Sequence, residues 1–151
     1  MKFYKFRGIV AIYLTKFIAW ILRVEMPPIL SVGAIIQGED KKILFVKLSY
    51  QNGYGLPGGI VQGGETIEQA LSREVYEETG LKVINSKMFL STPSKYKGID
   101  TISITFIVKA IGKVAPSNEG TLEWKKINEV IDNLAYKDTR QTLNKFIKNE
   151  Q

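Results

Sequence analysis

The 151-residue chain contains no cysteine and no histidine. Without cysteine there are no disulfides and no thiol nucleophile, which is compatible with a reducing cytoplasm. Without histidine there is no imidazole base, no serine–histidine pair and almost no route to a zinc site. Any acid–base or metal chemistry must therefore run on carboxylates. A membrane-spanning run is missing too: between Arg7 and Arg23 lie fifteen residues, Lys16 among them, against the ~20 apolar residues a span needs. That stretch has the charge-then-apolar order of a signal peptide, yet RVEMPP follows it instead of a small-residue cleavage site. Internal repeats and low-complexity tracts are also absent.

What is present reads as one ordinary domain, 44% hydrophobic and 24% charged, long enough to bury a full core. The net charge of +6 suits an anionic partner such as a phosphate ester, a nucleic acid or a membrane surface, and equally a basic surface kept for solubility. Pro27 and Pro28 separate a first block, residues 1–28, from the domain expected over 29–151. LSVGAII (30–36) and KILFVKL (42–48) read as strands joined by the turn QGEDK, and YGLPGG is a tight glycine-rich passage. LKVINSKMFLST and TISITFIVKAIG read as longer strands, the second alternating Ile102, Ile104, Phe106 and Val108. After the polar loop KVAPSNEG comes a short strand, TLEWKKI, and then a helical tail in two pieces around Tyr136–Asp138. The expected fold is an α+β or α/β sandwich with a mixed sheet.

Between Gly58 and Leu81 the sequence is GGIVQGGETIEQALSREVYEETGL. Thr66 and Gln69 form a capping box that starts a helix at Ile67, and Gly80 ends it. At 100° per residue, Ile67, Ala70 and Leu71 make the buried stripe, and Glu74, Glu77 and Glu78 continue it within about 100° of arc. Gln69, Ser72, Tyr76 and Thr79 fall on the outward side. A run of glutamates ordinarily covers a solvated face, opposite the apolar stripe. Here the acids share the stripe, and three bare anions on one inward patch repel each other. Cations among them, or partial protonation, would relieve this. With oxygen donors alone the expected ion is Mg²⁺ first and Mn²⁺ second. Arg73 can hold one acid. Gly55, Gly58, Gly59, Gly63 and Gly64 let backbone approach a ligand closely, and the two Gly-Gly pairs flank a strand-length Ile60–Gln62.

Gly59, five residues, Glu65, seven residues, then REVYEETGL from Arg73 to Leu81 resembles the signature of the Nudix hydrolase family at every defined position. The likeness runs from about Leu30 to the end of the chain, with LPGG before the signature and an EW-type strand after it. The resemblance implies an α/β/α sandwich that cleaves a nucleoside diphosphate linked to another moiety, using Mg²⁺ or Mn²⁺. It implies Glu74, Glu77 and Glu78 as metal ligands, with the Gly59 carbonyl as a further one. Arg73 would orient the glutamates through a salt link reaching Glu65. With no histidine, a carboxylate must take the proton from the attacking water: Glu77 or Glu78 in the signature, or Glu119 on a later loop, with Glu123 as an alternative.

Substrate is expected around Gly58, Gly59, Tyr54 and Tyr96, with Tyr50 and Trp124 as further aromatic surfaces that could stack a base. Subclass cues stay incomplete: Pro93 lies twelve residues past Leu81 and Tyr96 fifteen, each near a family position without matching it. A nucleoside diphosphate derivative is the expected partner, and DNA is not. A nucleotide-sensing binding module and an RNA 5′-end pyrophosphohydrolase stand as alternatives. The sensor would tolerate loss of the acids, and 151 residues leave little room for an effector domain.

Wound as a helix, the first block aligns Lys5, Lys16 and Arg23 on one side and gives over half its circumference to apolar residues. Through residues 3–24 this face is expected to be covered by the domain, by a second copy, or by a membrane surface. The expected location is cytoplasmic, peripheral to a membrane in the last case.

Overall fold

A computed structural model describes residues 13–18, 20–22, 27–49, 52–96, 99–115 and 120–149. Residues 13–18 and 20–22 are helical. The strands follow as β1 (Ile29–Ile36), β2 (Ile43–Leu48), β3 (Tyr54–Gly55), β4 (Gly58–Ile60), β5 (Lys82–Tyr96), β6 (Ile99–Ile111) and β7 (Gly120–Lys125). Helix α1 (Ile67–Thr79) lies between β4 and β5, while α2 (Ile127–Val130) and α3 (Lys137–Asn149) close the chain.

Among the described residues, seven strands form two sheets, one ordered β4-β1-β6-β5 and the other β3-β2-β7. β1 runs parallel to β6, pairing Ile29 with Thr101 through Ile36 with Val108, and antiparallel to β4. The remaining strand-to-strand ladders among the described residues are antiparallel, so the larger sheet is mixed. β5 is an edge strand of this sheet, and this is why it accommodates Pro93, which has no N–H for a second neighbour.

Alternation along β1 places the two cores. Val32, Ala34 and Ile36 join Ile104, Phe106 and Val108 beneath Ala70, Leu71 and Val75 of α1. Ile35 projects to the opposite side, where Phe45, Val130, Leu143 and Phe146 bring in α2 and α3. Period-2 exposure of one strand to two apolar layers gives the α/β/α sandwich.

The glycine passage differs from expectation. It holds two short strands, and the one beside the acids is Gly58–Ile60 rather than Ile60–Gln62. Pairing of Gly58 with Gly33 and of Gly59 with Val32 sets that register. β5 also runs past the expected end at Thr92, through Tyr96.

Candidate active site

Helix α1 begins where its capping signals put it. The Thr66 hydroxyl accepts from the Gln69 N–H at 3.2 Å, and the Gln69 side chain accepts from the Thr66 N–H at 2.8 Å. Gly80 closes the helix at φ 73°, a left-handed conformation that costs a side-chain-bearing residue energy. The acids on the last turns therefore meet β4 at a fixed height.

Glu78 is 6% exposed, and its Oε2 accepts the Gly58 N–H at 2.9 Å. Glu74, 14% exposed at the side chain, lies over Gly59, where an added Cβ would collide with its carboxylate. This closeness explains the pair Gly58–Gly59. The other pair serves a turn: Gly64 sits at φ 86°, and Cβ atoms at Gly63 and Gly64 would meet open space.

Arg73 ties the acids to the loop. Its Nε donates to Glu65 Oε1 at 2.5 Å and its Nη2 to Glu65 Oε2 at 2.9 Å, a two-pronged ion pair. Nη2 also donates to the Ile60 carbonyl at 3.1 Å, and Nη1 reaches Glu74 at 2.7 Å and Glu77 at 3.4 Å. The guanidinium and the Gln62 N–H hold the Glu65 carboxyl at about 2, below its usual 4.5. Arg73 is in turn pushed up, chiefly by Glu65.

Because the folded Glu65 carboxyl ionises more readily than the unfolded one, its stabilisation is present above about pH 4.5 and is lost as pH falls toward 2. Glu65→Gln is expected to flatten the fall in melting temperature over that acidic window. High salt should shrink the difference only modestly, since both side chains are just 20% exposed. Parallel melting curves for the two proteins between pH 5 and 2 would remove the link from the stability of the fold.

Two positions on α1 depart from the helical wheel. Glu77 is 58% exposed and stands at the rim rather than on the buried stripe. Thr79, expected outward, is fully buried; its hydroxyl donates to the Val75 carbonyl at 2.5 Å and accepts from the Leu81 N–H at 3.1 Å. The chain reverses at Gly80 into β5, so the last turn is covered on a side that helical period alone leaves open.

Among the described residues, no three acidic side chains converge closely enough to hold an ion as placed. Each acid has its own partner: Arg73 holds Glu74 and also reaches the largely exposed Glu77, while the Gly58 amide holds Glu78. The donor chemistry nonetheless fits a hard divalent ion, with carboxylate oxygens on consecutive turns beside a strand whose Gly59 leaves the approach open.

Tyr54 sits elsewhere. It packs against Phe45 in the α2–α3 core at 6.3 Å between ring centroids, and its hydroxyl donates to Glu123 at 3.1 Å. Burial, then that hydrogen bond, pushes its pKa up. Glu123 is further engaged by Lys125 at 3.4 Å. Glu119, Tyr50 and the side chain of Tyr96 lie outside the described residues. Sequence reasoning missed the backbone members of the site, namely the Gly58 and Gln62 N–H groups and the Ile60 carbonyl. Only the capacity of a glycine for close approach hinted at the first, and nothing in side-chain identity marks the other two.

Comparison with known proteins follows the same outline. A family model described as the NUDIX domain matches residues 27–148. The chain is 40% identical over 95 residues to a protein of Methanocaldococcus jannaschii named ADP-ribose pyrophosphatase, covering 60% of this chain and 56% of that one. The match thus spans little more than half of that relative's length. A MutT-like protein of Streptomyces ambofaciens is 31% identical over 113 residues, 72% of each chain. The crystal structure of the MutT protein from Methanosarcina mazei Go1 superposes with a TM-score of 0.73 over 85% of this chain and 99% of that one; at 24% identity it bears on the fold alone. With the signature residues carried by α1 and the loop before it, and the family pattern matched over residues 27–148, the chain belongs to the NUDIX domain family.

Proposed function

We propose that this protein is a Mg²⁺- or Mn²⁺-dependent hydrolase that cleaves the pyrophosphate linkage of a nucleoside diphosphate derivative, releasing a nucleoside monophosphate and the phosphorylated remainder. The observation that carries the reading is the meeting of Glu74 and Glu78 with the Gly58–Gly59 backbone, under the Arg73–Glu65 clamp. Glu74, Glu77 and Glu78, with the Gly59 carbonyl, would hold the cation. When bound, it supplies positive charge at the diphosphate and a more acidic water for attack at phosphorus.

The chain's own groups do the rest. Arg73 holds Glu74 in orientation and is itself fixed by Glu65 and the Ile60 carbonyl, so it has little freedom to swing away. The Gly58 amide donates to one oxygen of Glu78 and so fixes the orientation of that carboxylate against β4. Glu77, which is 58% exposed, or Glu78 would accept the proton from the attacking water.

A panel of nucleoside diphosphate derivatives tests the reading, assayed with Mg²⁺, with Mn²⁺ and with chelator. ADP-ribose heads the panel because the Methanocaldococcus relative bears that name, and 5′-triphosphorylated RNA is included. Metal-dependent release of a monophosphate from at least one member is expected. Tight nucleotide binding with no turnover under either metal would instead make the protein a sensor.

A further inference from the structure

We propose that the helical residues 13–18 and 20–22 lie in the interface of a membrane rich in anionic lipid, with their apolar face in the acyl boundary and the basic charge of residues 1–26 drawing them to the headgroups. The inference is independent of which substrate the hydrolase takes.

The domain does not cover this segment where it is described. Leu14, Phe17, Ile18, Trp20, Ile21 and Leu22 are 46–75% exposed. At 100° per residue these six side chains sweep an arc of about 200°, leaving Thr15 and Lys16 to the remainder. No helix among the described residues is long and apolar enough to cross a membrane.

Two occupants compete for such a face, and arc width and charge separate them. A seam with one helix of a second copy takes a stripe of about 100° and would leave half of this arc in water. A helix sunk to its midline in a bilayer interface covers the whole arc at once. Charge points the same way: residues 1–26 carry Lys2, Lys5, Arg7, Lys16 and Arg23 against Glu25, a net +4 out of the chain's +6. Pairing two copies brings those charges together, whereas on an anionic surface each basic residue raises affinity by about fivefold. Aromatic content fits as well. Phe17 and Trp20 stack at 6.2 Å with their planes 27° apart, and indole rings favour the headgroup level of a bilayer.

The test is co-sedimentation of the full chain with vesicles of phosphatidylcholine, alone or mixed with phosphatidylglycerol, at low and high salt. Binding is expected to the mixed vesicles, weaker at high salt and weaker again without the anionic lipid. The double variant Ile18→Glu, Ile21→Glu should lower the bound fraction by at least about tenfold, since each change removes a branched apolar group and adds repulsion. Its melting temperature should match the parent's, because both side chains are exposed. Failure to bind the mixed vesicles would overturn the proposal. So would equal binding to neutral ones, or a variant that binds as well as the parent. A stable dimer in sedimentation velocity without lipid, dissolved by the same two substitutions, would overturn it in favour of a second copy.

Discussion

Glu78→Gln is expected to lower turnover by at least ~100-fold, the scale on which a positioned acid, base or charge contributes to a transition state. The carboxylate is buried against β4 with one oxygen on the Gly58 amide. Glutamine has the same shape and keeps an oxygen for that N–H, so the substitution removes charge without opening a cavity. Burying a neutral amide is also less costly than burying an anion, so the melting temperature without metal should hold or rise. Loss of activity with a retained or raised melting temperature is the signature to measure. Glu68→Gln, on the exposed face of the same helix, should leave both quantities near those of the parent. Equal losses at positions 68 and 78 would mean that the Gly58 side of α1 is not where the chemistry occurs.

The second large effect separates two adjacent glycines. At Gly58 an added Cβ would land on the Val32 carbonyl oxygen, a backbone atom held in the β1–β4 ladder. No rotamer relieves that clash, so Gly58→Ala should cost about 4 kcal/mol or more, at the severe end of single substitutions. For a chain of this length that corresponds to a fall of roughly 10 °C in melting temperature. At Gly59 the atoms nearest the added Cβ all belong to the carboxylate end of Glu74, a flexible side chain that can swing aside. Gly59→Ala should therefore fold nearly as well as the parent while losing most of its activity, because Glu74 leaves its place beside Arg73. Thermal melts and initial rates on the two variants read the contrast directly. A stable, active Gly58→Ala protein would mean that β4 does not pair with β1 in this register.

What could be read in advance was what is local or periodic. Thr66, Gln69 and Gly80 mark the ends of α1 by contacts within four residues, so those ends were legible. The alternation of Ile104, Phe106 and Val108 identified a half-buried strand for the same kind of reason. Thr79 and Glu77 were misplaced because the wheel treats a helix as an isolated cylinder. Burial of Thr79 depends on the chain turning back at Gly80, and exposure of Glu77 on where the packed layer ends. β3 and β4 are too short to carry a period, and their pairing is set by partners at Val46, Lys47 and Ser31 through Gly33. The clamp on Glu65 was legible only through a family signature, since nothing in its spacing from Arg73 requires contact across a loop.

Parallel pairing of β1 with β6 sets the order in which these parts come together. Ile29 meets Thr101 and Ile36 meets Val108, so the whole of α1 lies inside the loop that this pairing closes. Closing so long a loop sacrifices chain entropy before any contact compensates, which makes it the slow event of folding. α1, with both ends capped by its own neighbours, can flicker into shape on a far shorter timescale. A refolding chain should therefore recover helical signal early and catalytic competence late. β4 carries the Gly58 amide on β1, the strand whose parallel partner β6 the long loop delivers, so the site is held firmly only once β1 and β6 have paired.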